Sequence, residues 1–431
     1  MNWERHMTDT RYMPEHAARA FDAKTARRQL SLAQLLGARQ PKDAFFEMLS
    51  RHLHQGTLIV RHNGVDHRFG AGDDAPIVLR VLRDDFFSRV LAFGNLGMGE
   101  AFMAQDFEVE DDRLVDCLTM LCRAGLHKKL RSDWSFLLRY AGMLASNRLL
   151  SPATNVRRHY DIGEDVFDAF LLDRYQVYSC GYAHSQDDAA DLLQQRKLDR
   201  ICQKLEIEPG QSLLDIGCGK GGMLIHAALN FGACGVGVTN SVAHHARAQE
   251  NAAKYGVSDR VRFILGDYRE IEGSFDRIVS VGMLEHVRAK DYPAYFGAIE
   301  RLLAPKGRGL VHVIGCNTAI NRHDPFIQKY VFPGSDTPKL SAMTTELEKN
   351  CLAILDVENM ARHYAVTLRR WLEAFRANSG TLDPVRYDTV FKRMWEYYLS
   401  CGIASAMAGD QALYQLLFTK DYHAPYRLQR V

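Results

Sequence analysis

The residues with the clearest chemical potential are Asp215-Ile-Gly217-Cys-Gly219-Lys-Gly221-Gly222, which follow a short apolar run and open a helical pattern. Glycines let the backbone approach a ligand closely, and the free amides at a helix N-terminus favour an anionic group. Gly217, Gly219 and Gly222 also fit the GxGxxG spacing of a dinucleotide loop, and a structural glycine turn reads the same way. A dinucleotide site wants an acid roughly 20 residues on to hold the ribose. The next strand here ends Gly237-Val238-Thr239-Asn240 and offers none. Together with Asp215 just ahead of the glycines, this favours S-adenosylmethionine as the cofactor over NAD or FAD. The nine cysteines are an odd number, scattered and never arranged as CxxC, which argues for a reduced cytosolic setting and against a metal site.

The elements around this loop alternate in type. Ser212–Ile216, Val236–Thr239, Val261–Leu265, Phe275–Ser280 and Leu310–Ile314 read as buried strands with helical segments between most of them. That pattern predicts an α/β fold with right-handed crossovers and a doubly wound parallel sheet. A chain of 431 residues exceeds the usual size of one core, so two domains are expected, at 1–150 and 151–431. In the first, residues 1–40 read as a loose helix or tail. Phe45, Phe46, Leu49 and Leu53 fit a helix, Asn63-Gly64 marks a hairpin within Gly56–Gly70, and Pro-Ile-Val-Leu-Arg-Val-Leu reads as a strand of a small α+β module.

The formal charge is only +2, so the whole chain carries no polyanion-binding signature and no nucleic-acid partner is expected. Charge is instead local. Between Arg123 and Arg158 eight Lys or Arg stand against one acid, Asp133, interleaved with Trp134, Phe136, Leu137, Leu138, Met143 and Leu144. Such a stretch suits an anionic lipid surface, and equally suits a helix packed on the next domain with a solvated basic face. No apolar signal core or membrane-spanning run is present, so any membrane contact is peripheral.

Several further motifs then fall into a known order. His159-Tyr160-Asp161-Ile162-Gly163, Tyr178-Ser179-Cys180-Gly181-Tyr182, the glycine loop, Val238-Thr239, Val281-Gly-Met-Leu-Glu285-His286-Val287 and His312-Val-Ile314-Gly315 resemble the motifs of cyclopropane fatty acid synthases and mycolic acid cyclopropane synthases, from about residue 155 to 420. The resemblance implies a Rossmann-like class I methyltransferase sheet with a smaller N-terminal α+β lipid-binding region. It implies that Tyr178, Ser179, Gly217 and Gly219 hold the cofactor beside Asp215, that Thr239 and His244 lie near its ribose, and that Asp267 and Tyr268 flank the adenine. It also implies a bicarbonate ion held by Cys180, Glu285, His312, Tyr364 and the backbone of Ile314. The substrate would be the double bond of an unsaturated phospholipid in the membrane surface, and the protein a homodimer on the inner face of the membrane.

An alkene is a neutral nucleophile, so alignment and a dry pocket supply most of the catalysis. Methyl transfer leaves a carbocation, and ring closure needs a base to take a proton from the new methyl group, with tyrosine faces stabilising the cation. Each residue also has a plainer reading: a buried thiol for Cys180, a helix-start carboxylate for Glu285, a satisfied core histidine for His312, and packing for Tyr364 and Tyr268.

The sequence departs from the family at Lys220, where tryptophan is usual, at Ala183, again for tryptophan, and at His244, for a glutamine that helps hold the ribose. The family's late cysteine position is Gly402, with Cys401 one residue early, which on a helix is a rotation of about 100°. Ala406-Met407 replaces a Phe-Arg pair. These changes bear on the acyl pocket and on the fate of the cation, so a methylene or methyl-branched product is an alternative to the ring. A small-molecule methyltransferase and an inactive cofactor-binding subunit are the competing classes.

Overall fold

The computed structural model describes residues 40–72, 75–126, 162–316 and 324–423. Most of the basic stretch 123–158, the N-terminal arm and the start of the His159-Tyr160-Asp161 motif lie outside the described residues. What is described forms two compact units.

The first unit begins with α1 (Pro41–His52), placed by proline in its first turn and by Phe45 and Leu49 on one buried face. β1 (Thr57–His62) and β2 (Val65–Gly70) follow as an antiparallel hairpin. Its turn, Asn63-Gly64, has positive φ at both residues, 51° and 76°, the twist that suits two antiparallel strands. β3 (Ile77–Val81) pairs parallel to β1, and after α2 (Asp85–Phe93) and α3 (Asn95–Met103) the short β4 (Phe107–Val109) closes the sheet order β2-β1-β3-β4. α4 spans Leu114–Arg123. Phe45, Phe86, Phe87 and Phe107 fill the core. Two later segments, Asp324–Val331 and Ser379–Tyr398, cluster with this unit, although a single cut of the chain near 150 would assign both to the other. Their fit is close. Phe326 packs edge-on against Tyr397 at 4.7 Å, and a Cβ on Gly99 of α3 would fall 2.3 Å from the Phe326 ring.

The second unit holds α5 (Glu164–Phe170) and α6 (Ala190–Lys204), then β5 (Ser212–Ile216), α7 (Gly222–Phe231), β6 (Cys234–Thr239), α8 (Val242–Lys254), β7 (Val261–Leu265), β8 (Phe275–Val281), α9 (Tyr292–Leu302) and β9 (Leu303–Cys316). β5 to β9 pair in parallel, as the alternation predicts. The sequence reading stops one edge short. Beyond α10 (Leu340–Lys349), β10 (Ala353–Asn359) and α11 (Ala361–Asn378), and after α12 (Thr389–Ala408), β11 (Gln411–Thr419) runs antiparallel to β9, and β10 antiparallel to β11. The sheet is therefore mixed, of seven strands in the order β10-β11-β9-β8-β5-β6-β7. β11 is buried from Ala412 to Thr419, so it shows no alternation by which sequence alone separates a strand from a buried helix. From β5 the chain winds outward through β6 and β7 and then returns on the other side through β8. The crevice beyond the C-terminal end of β5 is thus the topological switch point, where open α/β sheets bind ligands.

Candidate active site

A cavity of about 430 Å³ lies at this switch point, between the loops that follow β5, β6, β7 and β8. All nine residues expected around the cofactor line it: Tyr178, Ser179, Asp215, Gly217, Gly219, Thr239, His244, Asp267 and Tyr268. Gly217 has φ +83°, and a Cβ there would meet Met283 at 2.7 Å, so the loop's close approach requires glycine. Above the loop, the Asp173 carboxylate accepts the backbone N–H groups of Tyr175 and Val177 and fixes the turn leading into Tyr178. The Tyr178 ring is packed by Phe167 at 5.1 Å and Trp371 at 5.2 Å. Tyr268 packs edge-on against Tyr295 at 5.6 Å, so it is a packed aromatic that also forms part of the wall. Asp267 is held below the usual carboxylate range by its hydrogen bond from Arg269.

Two features were not anticipated. Lys197 on α6 is wholly buried, lines the cavity, and donates to Ser179 Oγ at 3.1 Å. Burial pushes its ammonium down to about 8, against the pull of Asp173, Cys180 and Asp215. Burial likewise pushes Asp215 up to about 7, with Lys197 opposing. In Gln-Gln-Arg-Lys the residue reads as solvated charge. The available signal was its spacing, four residues after Leu193 and four before Ile201, which puts it on the buried face of the helix. The second feature joins two of the family departures. Lys220 Nζ lies 2.5 Å from Glu164 Oε2, and the other oxygen of Glu164 lies 4.0 Å from His244 Nε2. His244 is pushed down to about 4 by burial, so it faces the cavity as a neutral imidazole.

Of the four residues expected to hold an ion, none lines this cavity, although Cys180 and Glu285 directly follow or precede residues that do, and Cys180, Tyr364 and Glu285 are linked through the backbone. The Met360 carbonyl lies 4.0 Å from Cys180 Sγ and accepts the Tyr364 N–H at 3.1 Å. The Met360 N–H donates to Leu413 O, and Leu413 is paired across β9 and β11 with Ile314. The Ile314 N–H in turn donates to Glu285 Oε1 at 2.7 Å. Glu285 therefore takes the N–H of β9 just beyond His312, where the pairing with β8 ends. Its second oxygen, Oε2, is buried with no hydrogen-bond partner among the described residues, and burial pushes the carboxyl up to about 7.

His312 is equally incomplete. Nδ1 lies 3.2 Å from Gln415 Nε2, whereas Nε2 is buried and has no partner among the described residues, so it is not a satisfied core histidine. Burial holds its pKa well below the ordinary value. The Cys180 thiol is raised well above the ordinary value by burial, which leaves it a neutral hydrogen-bonding group and a poor nucleophile. The Tyr364 ring is buried against Trp371 at 6.2 Å.

A parallel-dominated sheet with a glycine loop and a crevice at its switch point defines a class I S-adenosylmethionine-dependent methyltransferase. A model of the mycolic acid cyclopropane synthetase family matches residues 148–416, and the chain belongs to that family. It is 37% identical over 358 residues to the cyclopropane-fatty-acyl-phospholipid synthase of Escherichia coli K12, covering 83% of this chain and 91% of the relative. It is 33% identical over 373 residues to the tuberculostearic acid methyltransferase UfaA1 of Mycobacterium tuberculosis, covering 82% and 85%. Among solved structures, the cyclopropane synthase MmaA2 from Mycobacterium tuberculosis is similar with a TM-score of 0.58 and 27% identity, over 62% of this chain and 98% of that one. Mycolic acid cyclopropane synthase CmaA1, complexed with SAH and CTAB, is similar with a TM-score of 0.57 and 29% identity over the same shares.

Proposed function

We propose that this protein transfers the methyl group of S-adenosylmethionine to the double bond of an unsaturated phospholipid acyl chain and closes a cyclopropane ring. The observation that carries the second step is two buried polar atoms, Glu285 Oε2 and His312 Nε2, with no partner among the described residues, on the strands and turns that carry the cofactor cavity. Buried polar atoms in native proteins are almost always satisfied, so orphaned atoms there mark a place for a polar guest.

A bicarbonate ion fits that place. Glu285, His312, the Cys180 thiol, Tyr364 and the backbone at Ile314 would hold it, and when bound it supplies a base for the proton that must leave the new methyl group. The remaining work falls to the chain. Asp215, Lys197 and Ser179 place polar groups in the wall of the cofactor cavity, and the Tyr178 ring, packed from behind by Trp371, excludes water and offers a π face to developing positive charge.

The lipid is met at a membrane surface, with residues 1–150 as the lipid-binding region and 151–431 as the methyltransferase region. The eight basic residues between Arg123 and Arg158 support this reading, and among the described residues no helix is long and apolar enough to cross a membrane. The working form is a homodimer on the inner face of the membrane.

The test is to incubate the protein with methyl-labelled S-adenosylmethionine and vesicles of an unsaturated phospholipid, and to identify the fatty acids by gas chromatography and mass spectrometry. A labelled gain of CH2 in a saturated ring is the expected product. A labelled open branch or methylene group would mean that Gly402 and Ala406 redirect the cation, and label only in soluble metabolites would reject the lipid substrate.

A further inference from the structure

His312 is connected to a chain of buried polar groups that the chemistry above does not use. Lys204, at the end of α6 and almost fully buried, is ion-paired with Glu358 at 2.6 Å and Asp356 at 3.3 Å. Arg200 holds the other oxygen of Glu358 at 2.8 Å. Lys204 Nζ also lies 2.8 Å from the side chain of Gln415, which is wholly buried on β11. On the opposite side of that amide, 3.2 Å away, is His312 Nδ1.

The donor inventory orients the whole chain. An ammonium can only donate, so the Gln415 atom that faces Lys204 is the carbonyl oxygen Oε1. The atom that faces His312 is then the NH2 group, which also can only donate. Nδ1 must therefore accept, and a neutral imidazole that accepts at Nδ1 carries its proton at Nε2.

We infer that Gln415 and Lys204 are positioning residues that fix His312 as the Nε2–H tautomer, so that its unpartnered nitrogen is a donor and the site beside it is built for an acceptor: an anion or a carbonyl oxygen. This deepens the proposed function, because it rests on His312 facing the bound group. Burial, with the nearby charges of Lys197 and Lys204, keeps the ring neutral and preserves the single donor. The assignment separates His312 from a general base, since a bare Nε2 could take a proton from substrate and an Nε2–H cannot. A carboxylate in place of the amide would reverse the polarity, accepting from Nδ1–H and leaving Nε2 bare or the ring charged.

The experiment is a long-range proton–nitrogen correlation spectrum of the full chain labelled with 15N-histidine, with the His312 signals assigned by their absence in His312→Gln. The expected wild-type spectrum has the proton on Nε2. Gln415→Glu should move it to Nδ1 or give an imidazolium, and should lower turnover by about 10- to 100-fold while the dissociation constant for S-adenosylmethionine stays within about twofold. Lys204→Met, which lets the amide turn over, should add an Nδ1–H population; Lys204→Arg, which keeps a donor there, should restore the pure Nε2–H form. The Lys204 pair also keeps the test decisive if Gln415→Glu does not fold.

A wild-type proton on Nδ1 overturns the inference. So does a tautomer that ignores both substitutions, or a tautomer that shifts in Gln415→Glu without change in turnover. The spectrum needs no activity, so a wild-type protein that methylates no lipid would reject the proposed function while the tautomer is still read directly.

Discussion

Glu285 shows how one side chain can be costly to the fold and valuable to the chemistry. Its carboxyl is pushed by burial from 4.5 to about 7, while one oxygen keeps a hydrogen bond from Ile314 N–H. Between those two values the native state holds a proton that the unfolded chain has released. Stability therefore falls as pH rises through this window, and above about pH 7 the full cost is present, on the order of 3 kcal/mol at 1.36 kcal/mol per pKa unit. Glu285→Gln keeps an acceptor for Ile314 and removes the titration. It should raise the melting temperature over wild type at pH 8 and not at pH 4, which thermal unfolding at the two values checks. The same variant should bind S-adenosylmethionine with nearly wild-type affinity and lose turnover by about a hundredfold or more. Equal loss of both by calorimetry and kinetics would place Glu285 in the cofactor site instead. Lys197 belongs to the opposite case. Lys197→Met leaves Asp215 without its opposing charge, so the Asp215 pKa should rise further and cofactor binding at pH 7 should weaken, as a titration of affinity against pH would show.

At the level of elements, α5 and the glycine loop are joined by a charge pair. Lys220 is 8% exposed and lies 2.5 Å from Glu164. Glu164 is half-buried and Lys220 also lies 3.9 Å from Asp168, so removing the Glu164 charge leaves Lys220 with a weaker partner, whereas removing both charges leaves a neutral contact. Glu164→Gln should therefore cost about 1 kcal/mol in denaturant unfolding, and Glu164→Gln with Lys220→Met together should recover most of it. Additive losses would show that the two side chains act separately. The loop itself has less latitude. Gly217→Ala meets both a left-handed φ and the Met283 side chain, and should weaken cofactor binding at least tenfold, an effect of about 1.4 kcal/mol or more, in a protein whose sheet is unchanged by circular dichroism.

At the scale of the molecule, the first unit is discontinuous in sequence. Phe326, Trp395 and Tyr397 are each fully buried, and their segments, Asp324–Val331 and Ser379–Tyr398, cluster with the N-terminal residues. Glu100 receives Lys329 Nζ at 2.6 Å and the Tyr330 hydroxyl at 2.9 Å, and Asn95 accepts from the Tyr397 hydroxyl at 2.6 Å. A chain truncated to residues 144–431 would strip these aromatic and polar groups of the helices they pack on. It should aggregate or lose its cooperative melting transition, measured by light scattering and calorimetry, even though it retains every residue of the cofactor cavity. The local version is Gly99→Ala, whose Cβ would overlap Phe326 and Tyr397 and should cost about 1–3 kcal/mol.

The sequence by itself determined the parallel strands β5 to β9, the hairpin at Asn63-Gly64 and the glycine loop after Asp215, because these depend on local signals: apolar runs of strand length, glycines where backbone must turn or approach, and an acid or its absence at a fixed offset. Its family motifs also named Glu285 and His312, but spacing could not say what state either is in. Tertiary structure decided that Glu285 is an elevated acid with one free oxygen, since burial is a property of everything packed around it. It decided that Lys197 is interior, where the surrounding Gln-Gln-Arg run reads as surface. It paired Lys220 with Glu164, 56 positions away in the chain, and placed Gln415 between Lys204 and His312, residues separated by 211 and 103 positions. Hydrogen-bond polarity and desolvation are set by neighbours in space. Only where those neighbours are also neighbours in sequence can the chain announce them.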